Sequence, residues 1–108
     1  MEAAEQPQDE MYAQLLTISR QACSETSFEV AYHALAAAMH RAKDLKNMRF
    51  LRELLQEAEQ QMKLIDRDYP DRPLSSFSAR SRQHESVYIS LQRQISTLLL
   101  LDETQNRL

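Results

Sequence analysis

The stretch HALAAAMHRA, residues 33–42, decides the fold class of this chain. Alanine has the highest helix propensity of the amino acids, and its small side chain lets a neighbouring helix approach closely. Apolar residues continue on both sides at spacings of three and four, which is typical of one helix face. We therefore expect a central helix, whose N-terminus is predicted by the capping-box spacing of Thr26 and Glu29. Its buried face consists of Phe28, Ala31, Leu35, Ala38, Met39 and Ala42.

The absence of glycine from all 108 residues narrows the possible functions. Motifs that wrap a phosphate or expose a nucleophile on a sharp turn need glycine, because the backbone takes a positive φ there or approaches the ligand without a Cβ. The P-loop, the Rossmann turn, the nucleophile elbow and the EF-hand are therefore excluded. We expect no enzyme activity and no cofactor.

Two further helices flank the central one. A first helix begins at Asp9, a suitable N-cap, and runs to about residue 23. A third helix begins after Asp44 or Asn47 and runs to about residue 66. The first helix carries Met11, Leu15, Ile18 and Ala22 on one face and Tyr12, Leu16 and Cys23 on another. The third helix turns inward Met48, Leu51, Leu54, Leu55, Ala58, Met62 and Ile65.

A fourth helix begins near Ser76 or Ser78 and runs to about residue 101. It buries Val87, Tyr88, Leu91, Ile95 and Leu98. Because the first two connections are short, consecutive helices run antiparallel. We expect an all-α protein, an antiparallel four-helix bundle of up-down-up-down topology with a long third connection. We expect residues 1–8 to form a disordered arm, residues 9–101 the helical domain, and residues 102–108 a frayed C-terminal tail.

The long third connection, RDYPDRPLSSFSARSR at residues 67–82, contains four arginines and four serines next to a predicted helix N-terminus. Free amide groups and guanidinium groups together favour anions. We keep open an anion-binding or nucleic-acid-backbone-binding module with contacts from Arg72, Arg80 and Arg82. Three aspartates in and beside the segment oppose this positive charge.

Apolar residues outside the buried stripes of the two longest helices indicate a second contact surface. Monomers rarely expose a contiguous apolar patch of more than a few hundred Å². The leading hypothesis is a non-catalytic adaptor or regulatory module that acts by protein–protein contact, as a homodimer or with another protein. Its expected contact residues are Phe50, Leu64, Ile89, Leu100 and Leu101.

Charge, cysteine content and the histidines limit the partners. A net charge of −3 gives no overall attraction to nucleic acid or to an acidic membrane. The one cysteine excludes an internal disulfide and is compatible with a cytoplasmic location. His33 and His40 share a strip of the second helix, but this strip lies on its expected solvent side. We therefore expect no metal and no membrane partner, and we favour a protein partner over the nucleic-acid backbone that the arginine-serine segment keeps open.

Overall fold

A computed structural model describes residues 8–106, with the side chains of residues 8–105. All regular secondary structure among these residues is helical, with no strand, which confirms the all-α class. The predicted arm, apart from Gln8, and the last two residues of the predicted tail lie outside the described residues. The helices are α1 (Glu10–Ser24), α2 (Phe28–Asp44), α3 (Met48–Asp68), α4 (Ser76–Ser81) and α5 (Val87–Asn106).

Side-chain caps start α1 and α3. Asp9 accepts from the Tyr12 amide at 2.8 Å, and Asn47 accepts from the Phe50 amide at 3.0 Å. The capping box expected at Thr26 is wrong. Helix α2 begins after Ser27, whose side chain makes no capping hydrogen bond, because Thr26 already forms the turn that ends α1.

Three helices end on the same turn without glycine. After α1, α2 and α4 the chain passes through a residue of positive φ, namely Thr26 (61°), Lys46 (53°) and Gln83 (61°). In each turn the next amide donates to the carbonyl oxygen of an alanine five residues earlier, which is the longer bond of a Schellman motif. The three pairs are Ser27 with Ala22, Asn47 with Ala42 and His84 with Ala79.

The turn at Gln83 divides the expected fourth helix into α4 and α5. The Ser86 side chain then accepts from the Tyr88 amide at 3.1 Å and starts α5. No glycine or proline marks this interruption, so helix propensity alone predicted one continuous helix. Helix α5 also extends through residues 102–106, into the segment expected to be a frayed tail.

Helix α1 buries the second of its two candidate faces. Met11 and Ile18, expected to point inward, are 54% and 47% exposed. The Tyr12 ring instead stacks on Phe50, with ring centroids 3.9 Å apart and planes 5° apart. The buried residues of α1 are Tyr12, Leu16, Ser19 and Ala22.

The long helices pack in an order that brings α5 beside α3 and α2. Helix α1 packs mainly on α2, and the ion pair of Asp9 with Arg41 joins the start of α1 to the end of α2, so the two run antiparallel. Gln92 of α5 contacts Met62 of α3, and Leu98 lines a cavity with Leu51 nearer the start of α3, so α3 and α5 are also antiparallel. The largest fully buried apolar side chains are Tyr88, Phe28, Leu35, Leu51, Leu54, Ile65, Leu91 and Ile95.

Candidate functional site

A buried polar network joins all four long helices through Gln61. The Gln61 side-chain amide donates to the Ser19 hydroxyl at 2.9 Å and to the Glu57 carboxylate at 3.0 Å. Its oxygen accepts from the Tyr88 hydroxyl at 2.7 Å, and Ser19 donates to the Ala31 carbonyl at 2.7 Å. Every polar atom of the Gln61 side chain therefore has a partner in the protein. The network stabilises the helix packing, and both donors of the Gln61 amide are used inside the protein.

Cys23 and Tyr88 are unsuited to nucleophilic chemistry. Burial, and then the nearby Glu57 carboxylate, raise the pKa of the half-buried Cys23 thiol. Burial also raises the pKa of the Tyr88 hydroxyl well above its ordinary range. Because the reactive thiolate is disfavoured, Cys23 acts as a core residue.

The histidines of α2 both lie at the surface. His33 is exposed, with its ring edge against Tyr32, and His40 is exposed beside α5. Within residues 8–105, no group of three histidine, cysteine or carboxylate side chains is placed to hold a metal ion. The described helices also include none that is long and apolar enough to cross a membrane.

Two of the three predicted anion contacts are hydrogen-bonded to the backbone. Arg72 donates to the Thr26 carbonyl at 2.9 Å, and its guanidinium carbon lies 4.9 Å from the centre of the Phe28 ring. Arg82 donates to the Pro73 carbonyl at 3.0 Å. Arg80 is exposed and has no ion pair with any described carboxylate. Arg72 and Arg82 therefore each use a guanidinium donor on the protein's own backbone, and the anion site at these three arginines stays a prediction.

A carboxylate of the protein already occupies the N-terminus of α4. Asp66 accepts from both the amide and the hydroxyl of Ser76, each at 2.7 Å. The Ser75 hydroxyl accepts from the Ser78 amide at 3.0 Å. Ser75 thus caps α4, and Asp66 supplies the anion that this helix end favours.

The five predicted interface residues lie in different environments. Phe50 is only 8% exposed because it stacks on Tyr12, so it offers little surface to a partner. Leu64 and Ile89 are half-buried. Leu100 and Leu101 are 61% and 52% exposed, which makes the C-terminal part of α5 the most exposed of these predicted contacts.

An outward seam runs along α5 through Leu100. Residues 89, 93, 96, 100 and 103 follow one another at spacings of four and three, so they lie on one strip of the helix. Ile89 is half-buried, and Arg93, Ser96, Leu100 and Glu103 are exposed. Sequence reasoning named Ile89 and Leu100 but missed the other three, although the four-three spacing was readable. We call these five residues the α5 seam.

Comparison of the chain with protein families, with curated proteins and with solved structures finds no match.

Proposed function

We propose that this chain is a non-catalytic, cytoplasmic interaction module that forms a homodimer through the α5 seam. In this proposal α1, α2, α3 and α5 form an antiparallel four-helix bundle, and the contacts between these helices are compatible with that arrangement. The exposed Leu100, at 61%, is the single observation that carries the proposal. Burying such a side chain in a contact removes apolar area from water.

The seam is complementary to itself, which favours a second copy as its occupant. Residues 94–101 carry no charge, so two copies meet there without repulsion. When two α5 helices pack antiparallel with Leu100 opposite Ser96, the large side chain meets a small one. The same arrangement brings Arg93 of one copy opposite Glu103 of the other. This symmetry is that of an isologous dimer, in which both copies use the same patch.

Light scattering after size-exclusion chromatography tests the dimer. We expect the wild type to have the mass of two chains and the Leu100→Glu variant the mass of one, because a buried carboxylate without a partner opposes association. The matched control is Phe77→Glu on α4, since Phe77 is 59% exposed and lies outside the seam. A monomeric wild type, or a dimer that persists in Leu100→Glu, contradicts the proposal.

A further inference from the structure

The positive charges of this acidic chain are unevenly distributed. Within residues 8–105, most lysines and arginines make an ion pair or donate to a backbone carbonyl. Arg41, for example, forms an ion pair with Asp9, and Arg72 donates to the Thr26 carbonyl. The exceptions cluster around the turn between α2 and α3. The cations with neither an ion pair to a described carboxylate nor a hydrogen bond to a described backbone carbonyl are Lys43, Lys46, Arg49 and Arg52 in or near this turn, and Arg80 on α4.

Beside this turn, a groove lies between α2 and the C-terminal half of α5. It consists of two adjoining cavities of about 360 and 330 Å³, which share Lys43 and Leu98. Along α5 the groove extends from Arg93 to Gln105, which is about 18 Å, or roughly three helical turns. Its apolar lining consists of Met39, Met48, Leu51, Leu98 and Leu101.

The rim of the groove carries opposite charges on its two sides. Lys43 and Lys46 line it on the side of α2 and the following turn, together with His40. Asp102 lines it on the α5 side, next to Leu101, which is 52% exposed. An occupant that fits this groove is therefore apolar on one face and acidic on the flank that lies toward Lys43 and Lys46.

We propose that this groove binds an amphipathic, acidic α-helix of a partner protein. A helix of about three turns matches the length of the groove, and leucine or methionine side chains on its apolar face pack on Met48, Leu98 and Leu101. Methionine side chains adapt to different apolar shapes, which suits a groove that receives a helix. Glutamates or aspartates of the partner pair with Lys43 and Lys46. Leu101 lines this groove, whereas Leu100, about 100° further round α5, belongs to the seam.

The test uses two fluorescently labelled helical peptides of about 14 residues, a length of just under four turns. Both carry leucine at helix-face spacing; one carries glutamate on the flanks and the other carries lysine at the same positions. Fluorescence anisotropy measures their affinities for the full chain. We expect the acidic peptide to bind at least about tenfold more tightly than the basic one, because the rim cations face it.

Charge reversal in the groove gives the decisive variant. In Lys43→Glu/Lys46→Glu we expect the affinity for the acidic peptide to fall about tenfold and the preference between the two peptides to reverse. The matched control, Arg80→Glu, changes an unpaired surface cation on α4 and should leave both affinities unchanged. Circular dichroism checks that every variant keeps its helical content.

Three results overturn the groove proposal. They are equal or absent binding of the two peptides, an equal loss of binding in Arg80→Glu, and binding to vesicles of anionic phospholipid without binding to the acidic peptide. Failure of the groove proposal is distinguishable from failure of the homodimer, although Arg93 lies in both surfaces, because anisotropy reports occupancy of the groove and light scattering reports the mass of the assembly.

Discussion

The Tyr88 hydroxyl of α5 donates to the Gln61 side-chain oxygen of α3 at 2.7 Å, with Tyr88 fully buried and Gln61 2% exposed. The Gln61 amide nitrogen donates hydrogen bonds to the Ser19 hydroxyl of α1 and to the Glu57 carboxylate of its own helix. One side chain thus fixes the positions of α1 and α5 relative to α3. Such a closed polar network favours one packing of the helices over sliding alternatives.

Replacing Gln61 should therefore be costly. We expect Gln61→Leu to lower the free energy of unfolding by about 2–4 kcal/mol, because it leaves the buried Tyr88 hydroxyl without its acceptor. The variant also removes one of the two hydrogen bonds to the Glu57 carboxylate, which keeps only its contact with Arg20. Tyr88→Phe should cost about 1–2 kcal/mol. Urea unfolding measures both. In the double variant the loss of unfolding free energy should be smaller than the sum of the two single-variant losses. A loss equal to that sum would show that the two residues are not coupled.

Glycine at a left-handed turn should stabilise the protein. Thr26 is β-branched and has a φ of 61°, a conformation that glycine adopts without steric cost. We expect Thr26→Gly to raise the free energy of unfolding by roughly 1 kcal/mol. Gln21→Gly, at an exposed position inside α1, should lower it by a similar amount. A decrease for both variants would contradict a left-handed Thr26.

The pair of Asp9 and Arg41 should make stability depend on pH. Hydrogen bonds from the Arg41 guanidinium and then from the Tyr12 amide hold the pKa of the Asp9 carboxyl below its ordinary 3.8. A lowered folded-state pKa gives stability that is full above the unfolded-state value and is lost as the pH falls through the folded-state value.

Asp9→Asn keeps a capping side chain but removes the charge. Its urea midpoint should lie below that of the wild type at pH 7, and the difference should shrink toward zero as the pH falls below the ordinary carboxyl pKa of 3.8 and then through the lowered folded-state pKa. Asp71→Asn is the control, because Asp71 is exposed and outside this pair. A difference that stays constant with pH would rule out the charge as its source.

The proposed dimer predicts a charge swap. Glu103→Arg should weaken the dimer, because it places two arginines opposite each other in the antiparallel seam. Arg93→Glu/Glu103→Arg should restore it, even though Arg93→Glu also breaks the surface pair with Glu85. Sedimentation velocity across a concentration series measures dissociation. A double variant as weak as the single one would exclude the proposed pairing of Arg93 with Glu103.

Periodicity and caps made most of the fold predictable. The faces of α2 and α3 were readable because one stripe carries most of the large apolar residues of each helix, and Asp9 and Asn47 cap α1 and α3 as expected. Helix α1 was ambiguous because two of its faces carry apolar residues. Which of these faces is buried depends on the stacking of Tyr12 on Phe50, a contact between residues 38 positions apart.

The interruption at Gln83 and the buried network were not predictable in the same way. A turn with glutamine at the positive-φ position cannot be recognised from a glycine or a proline in the sequence. The shared feature of the three turns is the alanine whose carbonyl accepts from the amide five residues later. Gln61 and Ser19 look like surface residues by type, and the hydrogen bonds that they make with each other and with Tyr88 and the Ala31 carbonyl explain their burial. The grouping of unpaired cations near the groove was not predictable, because the ion pairs and carbonyl contacts of the other lysines and arginines are seen only in the structure.

Lys46 stands where stability and binding make opposite demands. Its backbone has a φ of 53°, so a search for more stable variants would select glycine at this position. That replacement would also remove one of the two ammonium groups at the groove. A thermally improved form of this protein, obtained by the usual glycine substitutions at helix ends, would on our proposal recognise its partner less well. Selection for heat resistance and selection for partner capture should therefore yield different residues at this one position.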